Sequence, residues 1–165
     1  MADELYTRTN QALAFARLAL GEWQQAAAAT EIGAATRVAY HREHTVFHLY
    51  RGLLWLIQEV AEGYRWTLTG TQSVEQLLRA EQIERFPGPE LAELAQLMQR
   101  SDSWVAGILS AWQQLQAPPA RAGAAAGALI VGGAATPSWG LAEADAALAS
   151  LRAQVERYRQ NLQEW

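Results

Sequence analysis

From Val46 to Tyr64 the chain reads VFHLYRGLLWLIQEVAEGY, the one stretch where apolar residues nearly surround a helical cylinder. Val46, Tyr50, Leu53, Ile57, Val60 and Tyr64 follow one another at alternating spacings of four and three, which sets all six on one stripe of an α-helix. Phe47, Leu49, Leu54, Trp55 and Leu56 fill most of the remaining circumference, so this helix is predicted to be buried, with neighbours on several sides. Apolar and polar positions do not alternate in the manner of a strand.

The other elements are predicted to wrap that helix. A first helix is expected from about Asp3 to about Ala29, where Tyr6, Leu13, Leu20 and Ala27 recur every seven residues and Thr9, Ala16 and Trp23 follow three later. The central helix would begin near Thr30 and reach Trp66, about 37 residues, which at ~1.5 Å per residue exceeds what a compact domain of this size needs. A kink or break is therefore expected, with Gly33 and Gly52 as candidates. Ser73 and Gln76 form a capping-box pattern that opens a short helix to about Arg85. Phe86-Pro87-Gly88-Pro89 interrupts the chain, and Pro89 suits the first turn of the next helix, to Arg100, with Leu91, Leu94, Leu97 and Met98 on one face. Ser101 or Ser103 caps a further helix, Trp104–Gln116, striped by Val105, Ile108, Leu109, Trp112 and Leu115.

Residues 117–138 change to Ala, Gly and Pro, with few large side chains to offset the entropy of ordering, and are expected to be a flexible connection carrying one apolar island, Leu129–Val131. The last helix, Gly140–Glu164, has the most regular seam. Leu141, Leu148, Val155 and Leu162 recur every seven residues, and Ala144, Leu151, Tyr158 and Trp165 follow each by three. The predicted fold is thus all-α: an up-and-down bundle of four long helices, with one or two short helices beside it. A single domain over residues 1–165 is expected, with Val46–Tyr64 packed against the last helix.

Composition narrows the functional classes. Thirteen basic and seventeen acidic residues give a net charge of −4 with no basic run, so no nucleic-acid partner is expected. With no cysteine, disulfides and thiolate metal sites are excluded. The acidic start MADELYTRTNQ does not resemble a secretory signal, and the longest apolar runs fall far short of the ~20 residues of a membrane span. A cytoplasmic protein without a membrane partner is expected.

One constellation could carry chemistry. His41, His44 and His48 lie together in HREHTVFH, on one side of the helix and roughly opposite the Val46–Tyr50–Leu53 stripe. His44 and His48, one turn apart, could chelate a divalent metal if another helix supplied a carboxylate. The zincin order is not met, because Glu43 precedes His44, and no Glu-x-x-His pair of the di-iron kind occurs. Arg42 and His48 resemble the Arg-to-His ribonuclease motif of the HEPN helical domains, though the charged Glu43 stands where a polar residue is usual and no basic surface accompanies it. The same side of the helix carries Arg37, Arg51, Trp55, Glu59, Glu62 and Trp66, an aromatic and polar face suited to a protein partner or to self-association. Arg51 and Trp55 are spaced to stack as a cation–π pair, whereas Trp23, Trp104 and Trp112 fall on apolar stripes and read as core.

The segments ELYTRTNQ (Glu4–Gln11) and FHLYRGLLWLIQEVAEGY (Phe47–Tyr64) resemble an uncharacterised family of small gammaproteobacterial helical proteins, a domain of unknown function, with a looser match over Pro89–Gln116. The resemblance implies an all-helical cytoplasmic protein and carries over no catalytic or ligand residue; the Ala/Gly-rich connection is the part least like the family. The resulting expectation is a non-enzymatic protein-interaction or adaptor module without a cofactor, with a metal-binding bundle through His41, His44 and His48 as the alternative.

Overall fold

The architecture is that of a computed structural model, which describes residues 2–68, 73–118 and 139–163. Among them are seven helices and no strand: α1 (Ala2–Ala28), α2 (Ala34–Gly63), α3 (Val74–Leu77), α4 (Ala80–Arg85), α5 (Pro89–Gln99), α6 (Trp104–Gln116) and α7 (Leu141–Gln163). The expected flexible connection, residues 117–138, lies outside the described residues from 119 onward, and Leu129–Val131 lies there too.

Of the two candidates for a break in the stretch from Thr30 to Trp66, the chain turns at Gly33, so the central helix starts four residues later than expected. The Gly33 φ of +92° is in the left-handed region, where a glycine has no Cβ to strain, and α2 starts at the next residue. At Gly52 the expectation fails, because α2 runs through it unbroken. A Cβ built there would lie 3.1 Å from Leu151 Cδ2 and 3.8 Å from the Ala12 methyl. Gly52 is therefore a notch that lets α1 and α7 approach α2. The short helix expected from Ser73 to Arg85 is two pieces, because Arg79 turns extended, with ψ of 150°. The capping box does form: Ser73 Oγ accepts the Gln76 amide proton at 3.2 Å, and Gln76 Oε1 accepts that of Ser73 at 3.0 Å.

Contacts along the long helices set their directions. Arg8 lies over Trp55 and Phe15 meets His48 edge to face, so numbers fall along α1 as they rise along α2, and the two are antiparallel. Leu151 meets Gly52, Arg159 meets Glu59 and Leu162 meets Gly63, so α7 runs parallel to α2. α1, α2, α6 and α7 pack in succession around the core, α2 also reaches across to α7 as expected, and α5 lies against α6 and α2.

The core confirms the α2 stripe. Val46, Leu53, Ile57 and Val60 are fully buried, Tyr50 nearly so, each large aliphatic stabilising the fold by roughly 1.5–3 kcal/mol. Leu49 and Leu56 are buried as well, but Phe47 is exposed and Leu54 and Trp55 only half-buried. The helix is thus covered on most, not all, of its circumference. In α1 the buried stripe is Thr9, Ala12, Ala16, Ala19, Leu20, Trp23 and Ala26, while Tyr6 and Ala27 of the predicted seam face out. Four alanines on this stripe, beside Leu20 and Trp23, let the helices come close, while Tyr6, Phe15 and Leu18 remain outside.

Two tyrosines tie polar groups of the bundle together. Tyr158 donates to the Glu90 carbonyl at 2.8 Å and accompanies Gln154 and Arg157 around the Glu93 carboxylate. Tyr64 donates to Glu90 at 2.9 Å and stacks on Trp66, which leans on Phe86. This joins the end of α2 to the start of α5.

Candidate interaction surface

With the Val46–Tyr50–Leu53 stripe turned inward, Tyr40, His44, Phe47, Arg51 and Trp55 climb the outer side of α2 at helical spacing. Their rings and cations touch in series. Tyr40 meets the edge of His44 at 4.2 Å between centroids, His44 lies 6.4 Å from His48, and His48 packs at 5.2 Å against both Phe47 and Phe15 of α1. The Arg51 guanidinium spans Phe47 (5.5 Å) and Trp55 (5.8 Å), and Arg8 covers Trp55 at 5.2 Å. On the other flank Phe47 approaches Trp112 of α6 at 6.1 Å, and Trp112 stacks on Tyr50 at 4.5 Å. Three rings of this series stay open to water: Tyr40 is 58% exposed, Phe15 42% and Phe47 37%.

The electrostatics favour an uncharged imidazole in the middle of the patch. Burial lowers the His48 pKa below its ordinary value, and the nearby His44 and Arg51 push it the same way. Neutral His48 can then lie against two aromatic rings without a stranded charge.

The residues singled out in the sequence divide among several environments. His44 and His48 belong to the aromatic patch, whereas His41 touches only the edge of Tyr40 among rings and lines a shallow cleft with Arg37 and Glu31. No three His, Cys, Asp or Glu side chains among the described residues are grouped so as to hold a metal ion. Arg42 donates to the Trp139 carbonyl at 3.2 Å and lies about 120° around the helix from His48, so the two do not converge within one chain.

The six residues of the expected interaction face do not form one surface. Arg51 and Trp55 are on the patch. Arg37 pairs with Glu31 near the start of α2. Glu59 is held by Arg159 of α7. Glu62 has one carboxylate oxygen buried without a hydrogen-bond partner among the described residues, and Trp66 stacks between Tyr64 and Phe86. Beyond Trp55 this side of α2 meets α7, through Arg159 at Glu59 and Leu162 at Gly63, so the open part of the face ends there.

Five members of the patch escaped the sequence reading: Arg8, Phe15, Tyr40, Phe47 and Trp112. Tyr40 and Phe47 carried a usable signal, since they share helical spacing with His44 and Arg51. Arg8 and Phe15 come from α1 and Trp112 from α6, and no local pattern ties them to α2. Trp112 does fall on its predicted stripe, yet it is half-buried at the rim and not deep in the core.

No helix among the described residues is long and apolar enough to cross a membrane. Neither a curated protein nor a solved structure matches the chain. All-helical as the resemblance implied, the chain belongs to the Family of unknown function (DUF6586), which matches it over residues 1–165.

Proposed function

We propose that this protein is a non-enzymatic protein-interaction or adaptor module of the cytoplasm, and that it binds through the Tyr40–His44–Phe47–Arg51–Trp55 side of α2. The observation that carries this reading is the exposure of Tyr40 and Phe47 beside Arg51, a cation already aligned by two rings. Exposed aromatics and arginine are the residue types that dominate binding hot spots. Their rotamers are held here by neighbouring rings, which lowers the entropy lost on binding.

The test is photo-crosslinking inside cells with a photoreactive phenylalanine at position 40. A discrete protein adduct, abolished by Phe47→Asp in a chain that keeps its helicity, is the expected result. The absence of any protein adduct from positions 40 and 47 alike would remove the proposal.

A further inference from the structure

On the reading of this surface as an interaction face, we infer that its partner is a second copy of the same chain, docked with the two α2 helices antiparallel about a two-fold axis at Phe47. The argument rests on symmetry. A two-fold interface presents the same patch on both sides, so it must be complementary to itself. Glu43 and Arg51 lie four residues before and four after Phe47. An axis at Phe47 brings the Glu43 of one protomer to the level of the partner's Arg51, and the symmetric pair forms at the same time. Tyr40 and Leu54, seven residues to either side, meet in the same way, a ring over an aliphatic side chain that is half-buried in the single chain.

The charges available fit that arrangement. Neither Glu43 nor Arg51 takes part in an ion pair among the described residues. Arg51 is oriented only by Phe47 and Trp55, with its donors open to a carboxylate. Glu43 is exposed on the turn between Tyr40 and Phe47. A parallel pairing would set Arg51 against Arg51 and Glu43 against Glu43, so the charges select the antiparallel one. From Tyr40 to Trp55 the stripe is ~22 Å long at ~1.5 Å per residue, roughly four turns of helix. Phe15 and Trp112 widen it on the two flanks.

Sedimentation equilibrium of the full chain, with helicity followed by circular dichroism, tests this. The wild type is expected to show a concentration-dependent monomer–dimer equilibrium. Glu43→Arg or Arg51→Glu alone opposes like charges twice across the axis, and each is expected to weaken the dimer by roughly tenfold or more. The combined E43R/R51E chain restores opposite signs and is expected to recover most of the loss. A wild type that stays monomeric, or a dimer that the single changes leave intact or the combined change fails to restore, overturns the inference. These outcomes separate from the broader reading: a monomer whose position 40 still crosslinks to a different protein keeps the interaction face and loses the self-pairing.

Discussion

Arg159 on α7 grips Glu59 on α2 through two hydrogen bonds, Nε to Oε1 at 2.6 Å and Nη2 to Oε2 at 3.0 Å, with both side chains largely shielded from water. Its third nitrogen, Nη1, donates to Asn10 at 2.9 Å, and its guanidinium lies 3.9 Å from the centre of the Tyr6 ring. One arginine thereby ties α7 to both α2 and α1. Glu59→Ala should leave that cation without its carboxylate and cost about 2 kcal/mol, the usual scale for hydrogen bonds to charged groups. Urea unfolding of the variant against the wild type measures it, and a change below about half a kcal/mol would show the pair to be ornamental, as exposed pairs often are.

Gly52 is the notch through which α2 meets its neighbours, with only 3.1 Å between its notional Cβ and Leu151. A larger residue there should overpack the interface: Gly52→Val is expected to destabilise the chain by roughly 1–3 kcal/mol. Leu151→Ala in the same chain makes room, so the two changes together should cost less than the sum of each alone. Strict additivity in thermal or denaturant melts would mean that the two sites do not share a contact.

Leu53 and Ile57 occupy the centre of the core and are fully buried. Truncating either to alanine removes buried methyl groups and leaves a cavity, for an expected loss of roughly 2–5 kcal/mol. Leu54, one residue on but half-buried at the patch, should lose clearly less. Comparable losses at positions 53 and 54 would contradict the assignment of faces on α2.

His48 gives the fold a pH dependence whose sign is set by burial. Because its pKa in the folded chain is below the ordinary value of 6.5, protons bind the unfolded chain more readily, and stability falls as pH drops through that ordinary value and continues to fall until the folded pKa is passed. Glu93 adds a loss only at lower pH. Burial alone would raise its pKa, but the hydrogen bonds from Arg157 and Tyr158 outweigh it and hold the pKa below 4.5. The expected result is that the wild type loses stability between pH 7.5 and pH 5.5 while His48→Gln loses less. Equal losses in denaturant titrations at the two pH values would show that His48 is not the group responsible.

Much of the fold was legible in the chain because helical periodicity records which side of each helix is buried. The seam of α7 appears in the structure with Leu148, Leu151, Val155 and Tyr158 buried, the cap at Ser73 is where the pattern placed it, and of the two serines offered for the next helix Ser103 is the cap. Local chemistry suffices for these features: a serine hydroxyl reaches an amide three residues on, whatever the rest of the molecule does. The site was less legible. His44, His48, Arg51 and Trp55 were found on one side of α2, but Arg37, Glu59, Glu62 and Trp66 were grouped with them because a helical wheel records angle and not height.

What the sequence determined by itself is therefore the number of long helices, their approximate spans and the buried stripe of α2, all set by spacing and backbone preference; it left Gly33 and Gly52 as equal candidates for the break. Tertiary structure alone decided that Gly52 is a contact and not a kink, that α1 turns Ala12, Ala16, Ala19 and Ala26 inward and Tyr6 outward, and that α7 covers one part of the outer face of α2 while leaving Tyr40 and Phe47 in water. Those outcomes depend on which surfaces meet and how closely, and residues a hundred positions apart, as Glu59 and Arg159 are, leave no trace of each other in a local pattern.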